Sequence, residues 1–225
     1  MVILHGENVV KSREKLVSMI EEAKAAGKEI ERLNAKQLTL ADLETSLQKT
    51  SLFGTEQVVI IEELHSLPRS KKKNQLIEIV SQANVEVILW EKRDLTKTML
   101  KQFPKATVEH FKLTNSLFSW LDVFNPKTPT DKHLKLLHKA QQANGEQMCF
   151  MMLARQIRLL IQLKDGGRPA GPPFVINKLT NQARDFSLDQ LLKLHQQLYT
   201  IDMAAKTSAS YLTLGQQLDL LAANL

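Results

Sequence analysis

The chain has 225 residues, enough for one large domain or two small ones with a sizeable buried core. Apolar residues at 43% and charged residues at 24% are ordinary for a globular protein and exclude disorder along the whole length. The formal charge of +6 favours acidic partners, nucleic acid first, and the lone Cys149 excludes an internal disulfide or a cysteine-rich metal site.

No apolar run approaches the roughly 20 residues of a membrane span. The opening "MVILHG" lacks the basic start and long apolar middle of a signal peptide, so a cytoplasmic location without membrane contact is expected. "VILH" (2–5) reads as a strand, and a helix follows in which Leu16, Val17, Ile20 and Ala23 recur on one face. "EIERLN" (29–34) reads as a second strand, and Leu40, Leu43 and Leu47 mark a short helix. "QVVIIEE" (57–63), "VEVILWE" (85–91) and "ATVEHFKL" (106–113) supply three more strands, with a helix through Leu76, Ile77 and Val80 between the first two. Strands separated by helices imply right-handed crossovers and a mostly parallel sheet covered on both faces.

From Asn115 onward only helical periodicity remains. The prolines of "NPKTP" (125–129) break the chain, and a helix follows around Leu134, Leu137 and Ala140. Segment 147–164 is apolar on most sides, with Arg155, Arg158 and Gln162 as a narrow polar stripe, which predicts the central helix of a bundle. "DGGRPAGPP" (165–173) is a linker. Three further helices carry Val175 with Leu179, then Leu188 to Ala205, then Tyr211, Leu214, Leu218 and Leu221. The predicted division is an α/β domain over 1–114 and an all-α domain over 115–225.

Catalytic motifs are thin. "GENVVKS" (6–12) stands where a phosphate-binding loop would, after the first strand, but only four residues separate Gly6 from Lys11-Ser12 and the second glycine is missing. Val9 and Val10 resist the backbone conformations that wrap a phosphate, and Glu7 places a carboxylate where the anion belongs. Glu62 and Glu63 end a strand as a magnesium-binding acid would; without a nucleotide site they read as solvated charges. An active phosphotransferase or ATPase built on Gly6, Lys11 and Glu62 is the alternative, and an unrelated helical adaptor is a third. His133 and His138 lie about 140° apart on a helix, wrong for one metal ion. Cys149 sits in an apolar run and reads as core. No catalytic residue, cofactor or metal is expected. "PRSKKK" (68–73) is the densest basic cluster, and Arg69, Lys71, Lys72 and Lys73 are candidates for DNA contact.

The remaining motif is "QKTSLFG" (48–54). As Q-x-x-S-L-F it resembles the short peptide with which bacterial replication proteins enter the hydrophobic pocket of the sliding clamp. Leu52 and Phe53 would fill that pocket while Gln48 and Ser51 satisfy polar groups at its rim. The succession "LQKTSLFGTEQVVIIEE" and "VEVILWEKRDLTKTMLKQFPKATVEHFKL" is similar to the N-terminal domain of the bacterial DNA polymerase III delta subunit, which opens the clamp within the clamp loader. "MLARQIRLLIQLKDGG" and "PPFVINKLTNQARDFSLDQLLKLHQQLYTIDMAAKTS", with Asp202 paired to Lys206, resemble that family's helical collar. The resemblance implies an AAA+-like, P-loop-like sheet domain with a degenerate P-loop, and a collar for oligomerisation. It also implies no catalysis by the chain itself, polymerase activity residing in the whole holoenzyme. Its implied partners are the sliding clamp (beta), other loader subunits through the collar, and primed DNA within the complex. One departure is the passage from "EHFKL" almost directly into "FSWLDVFNPKTP", which implies that the family's middle, lid-like domain is absent. A second candidate clamp peptide is "QLDLL" (Gln217, Leu218, Asp219, Leu220, Leu221), but its helical spacing favours collar core.

Overall fold

The computed structural model describes residues 1–48 and 56–225. These fall into two compact units, 1–113 and 114–225.

The first unit is built on a five-stranded sheet in the order β2-β3-β4-β1-β5, with every pairing parallel. The strands are β1 (Val2–His5), β2 (Glu29–Asn34), β3 (Gln57–Glu62), β4 (Glu86–Glu91) and β5 (Thr107–His110). Burial follows position. Val58 to Ile61 in β3 and Val87 to Trp90 in β4 are buried, whereas the edge strands β2 and β5 carry charged residues and stay largely half-exposed or exposed. Alternate side chains feed two cores. Leu4, Val58, Ile60, Ile88 and Trp90 pack with Leu16 of α1 (Val9–Ala25). Ile3, Val59, Ile61, Val87 and Leu89 pack with α2 (Leu40–Gln48) and α3 (Lys71–Ser81). Val17, expected on the buried face of α1, is 50% exposed; the apolar stripe runs through Leu16, Met19, Ile20 and Ala23 instead. A one-turn helix, α4 (Lys97–Leu100), precedes β5 and is capped by the Thr96 hydroxyl.

The second unit contains α5 (Asn115–Asp122), α6 (Thr130–Asn144), α7 (Glu146–Lys164), α8 (Pro173–Ala183), α9 (Leu188–Thr207) and α10 (Leu214–Ala223). α7 packs against the other five, burying Met148, Cys149, Phe150, Leu153, Ile157 and Leu160 while Arg155, Arg158 and Gln162 face solvent. Burial pushes the Cys149 thiol up to about 12, so it stays protonated and unreactive. Local chemistry sets the helix starts. Pro173 occupies the first turn of α8, and reciprocal capping boxes, Ser187 with Gln190 and Thr213 with Gln216, open α9 and α10. The Thr213 cap corrects one expectation, because α10 starts after Tyr211 and leaves that ring wholly exposed. The Asp202–Lys206 pair forms one turn apart on α9, at 2.6 Å. Among the described residues no helix is long and apolar enough to cross a membrane.

Candidate functional site

Parallel strands all point one way, so the chemistry of the first unit gathers where they end. At the end of β1, Gly6 adopts φ +137°, and a Cβ there would lie 2.2 Å from the Phe111 carbonyl oxygen. The Asn8 amide donates to that same carbonyl at 2.9 Å, and the Asn8 side chain accepts from the Lys11 amide as the cap of α1. The Ser12 hydroxyl, which would face magnesium in a phosphate-binding loop, donates to the Val9 carbonyl and accepts from the Trp90 indole at 3.1 Å. The chain's own atoms therefore occupy the helix N-terminus where a phosphate would bind. Glycine at position 6 serves close approach of two backbones, not a phosphate wrap.

Glu62 and Glu63 end β3, and neither is the solvated charge the sequence suggested. Glu62 receives Arg13 at 2.6 Å and Arg32 at 2.7 Å, and the Arg13 guanidinium holds its carboxyl below the usual range. Arg13 also lies over the Trp90 ring at 3.5 Å, so one cation links helix, strand end and indole. Glu63, in the left-handed region at φ 61°, pairs with Lys92 at 2.7 Å and Lys36 at 3.4 Å.

Glu91 ends β4 and is fully buried. Its carboxylate accepts from the His65 amide and the Ser66 hydroxyl, and burial pushes its pKa up to about 7. Beside it, burial and the nearby Lys73 and Arg93 charges hold His65 down to about 4. The Lys73 ammonium donates to the His65 and Leu67 carbonyls at 2.6 and 2.8 Å, and Arg93 donates to the same His65 carbonyl. Of the basic cluster, Arg69, Lys71 and Lys72 are exposed while Lys73 is turned inward. Ser70 caps α3 at Lys73, which places this lysine on the helix face that lies over the turn. Nothing in the sequence separates Lys73 from its two neighbours except its register with Leu76, Ile77 and Val80.

The candidate clamp peptide begins at the last residue of α2 and precedes β3 in the chain. Gln48 is exposed at the last turn of α2, and Ser51, Leu52 and Phe53 lie outside the described residues. The two ends of the intervening segment share one anchor. Glu31 of β2 accepts from the Ser46 hydroxyl of α2 at 2.8 Å and from the Gln57 amide of β3 at 2.7 Å. Spacing along the chain gave no hint of that carboxylate bridge. The second candidate peptide lies inside α10: Leu218 and Leu221 are buried, Leu220 is exposed, and Asp219 receives His138 at 3.0 Å. Its backbone is helical where the pocket of a clamp takes an extended chain. His133 is buried against Phe124, with Nε2 at 3.1 Å from the Asn125 carbonyl, so it and His138 serve different neighbours.

No protein-family model matches the chain, and no curated protein does. Among solved structures it is similar to the Bacillus subtilis DNA clamp loader delta protein. The two share 16% sequence identity and a TM-score of 0.44, covering 99% of this chain and 94% of that one.

Proposed function

We propose that this chain is a non-catalytic clamp-loader subunit of the delta type, which binds a sliding clamp and helps hold its ring open. The observation that carries the reading is the closed end of β1. A parallel α/β sheet presents a helix N-terminus there, and Gly6, Asn8, Ser12 and Phe111 fill it from within the protein. The Q-x-x-S-L-F sequence between α2 and β3 in the chain then supplies a binding element in place of a reaction site, with Leu52 and Phe53 as anchors and Gln48 and Ser51 at the rim.

The helical unit is the collar in this reading. α9 presents Leu188, Leu192, Tyr199 and Met203 to solvent at helical spacing, an apolar stripe suited to neighbouring loader subunits. The work is mechanical. Binding drives ring opening only to the extent that the chain prefers the open ring, because equal affinity for both states shifts nothing. Exposed Arg69, Lys71 and Lys72 are the residues available to primed DNA.

Calorimetric titration tests the reading in two arms. The sliding clamp of the source organism should give a saturable complex, and magnesium-ATP should give no saturable heat. Micromolar ATP binding with turnover would establish the phosphotransferase alternative instead, and absence of any clamp complex would defeat the delta reading.

A further inference from the structure

A second cluster at the same sheet edge uses residues that the clamp-binding reading leaves idle. The parallel register sets His5 of β1 directly beside His110 of β5, so the two imidazoles project from neighbouring strand ends. Their rings stack with centroids 4.3 Å apart and planes 21° from parallel. Asp94, in the turn between β4 and α4, brings its carboxylate to 2.7 Å from His110 Nε2. His5 is 2% exposed. Its Nδ1 accepts from the Leu95 amide at 3.2 Å, the long end of the hydrogen-bond range. That bond puts the ring proton on Nε2, so His5 ligates an ion only by exchanging the Leu95 amide for it at Nδ1.

We propose that His5, Asp94 and His110 form a binding site for a divalent transition-metal ion, of which zinc is the type. One donor atom from each residue lies within 4.8 Å of the other two. Bonds of roughly 2.0–2.2 Å to a tetrahedral ion put its ligand atoms about 3.5 Å apart, so the Asp94–His110 contact of 2.7 Å opens on binding while the wider spacings to His5 close. Asp94 and His110 can supply that movement because both are exposed, whereas His5 is fixed by burial. Two imidazoles and one carboxylate select zinc, cobalt or nickel over magnesium and calcium, which prefer all-oxygen sets. Three protein ligands also leave a fourth position for water or a partner's side chain.

The nearby Lys112 charge opposes that of the metal. The ion would tie the ends of β1 and β5 to the turn after β4, three segments far apart in the chain.

His138 and Asp219 provide an internal control, since they form a similar exposed imidazole–carboxylate pair on the helical unit. The test uses tag-free full-length protein titrated with cobalt(II) chloride, read by visible absorption, and then displaced with zinc chloride. The expected result is one cobalt ion per chain, displaced by zinc, with a melting temperature that rises when zinc is added. Loss of an outer-shell partner costs a metal site roughly 10–100-fold, so His110→Ala and Asp94→Asn should each weaken binding by at least that much. Both residues are exposed, so neither variant threatens folding, and His138→Ala should bind as the wild type does. Absence of a saturable cobalt spectrum, or unchanged affinity in both His110→Ala and Asp94→Asn, would overturn the site.

Discussion

The two units place their long-range polar contacts differently. In the helical unit they are dispersed, as in Lys127–Asp185, Lys178–Asp122 and His138–Asp219, beside local caps at Ser187 and Thr213. The buried His133, Asn144 and Gln182 bond mainly to helix-end and loop groups. In the sheet unit the polar groups converge from distant parts of the chain onto one edge. Glu91 meets His65 and Ser66, Glu62 meets Arg13 and Arg32, and His5 meets His110. The cause is directional. Parallel strands deliver every carboxyl end to the same side, and a bundle of helices imposes no such common side. Polar side chains from distant segments therefore meet where the strands end together.

The largest effects should come from the helical core. Leu218→Ala removes a buried side chain from α10 and should cost roughly 2–5 kcal/mol in urea unfolding. Leu220→Ala, whose side chain is 53% exposed, should change stability little. Equal losses in the two variants would break the assignment of this segment to helix.

Gly6→Ala tests the other unit. Its Cβ would meet backbone atoms of Phe111 at a positive φ, and the loss should reach about 3 kcal/mol. Gly145→Ala also sits at positive φ but meets nothing within 4 Å, so its cost should be the strain alone, about 1 kcal/mol. A Gly6→Ala protein as stable as wild type would mean that β1 and the Phe111 carbonyl are not in close contact.

A pH series sharpens the contrast further. The Glu91 carboxyl sits at about 7 in the folded protein against an ordinary 4.5, so folding takes up a proton between those values. Its contribution therefore declines as pH rises through that window. His65 sits at about 4 against 6.5, so folding releases a proton there and its contribution grows from about pH 4 to 6.5. The two slopes oppose each other in the wild type. Glu91→Gln removes the declining one, so its stability relative to wild type should rise between pH 5 and 7.5 by on the order of 2–3 kcal/mol. A pH-independent difference would show that Glu91 titrates normally.

The smallest effects separate neighbours in the basic cluster. Lys73→Ala takes a donor from the Leu67 carbonyl and leaves the His65 carbonyl to Arg93 alone, and should cost roughly 1–3 kcal/mol. Lys71→Ala and Lys72→Ala should lie within about 0.5 kcal/mol of wild type. Equal values for all three would make Lys73 an ordinary surface charge.

Periodicity revealed the strands and most helices because burial imposes it on each element alone. "EIERLN" reads as β2 and "VILH" as β1 with matching limits. Val17 and Tyr211 were misread because apolar residues at correct spacing need not face the core; a neighbouring stripe and a cap at Thr213 decided their places. The degenerate phosphate loop was legible from a missing glycine, yet its closure by Phe111 was not, since that carbonyl arrives from the far end of the unit. The pairings of His5 with His110 and of Glu31 with Ser46 and Gln57 were equally hidden. Each depends on strand order and register, which no local pattern encodes. Five strands that read correctly one by one still leave their neighbours undetermined.

The clamp affinity of the Leu52→Ala, Phe53→Ala double variant tests the central claim most directly. Burying two such side chains in a pocket is worth roughly 1.5–3 kcal/mol each. Their removal should therefore weaken clamp binding by roughly a hundredfold or more, while circular dichroism and melting temperature stay near wild type. A double variant that binds the clamp as tightly as wild type, or that loses binding only because it unfolds, would contradict the account.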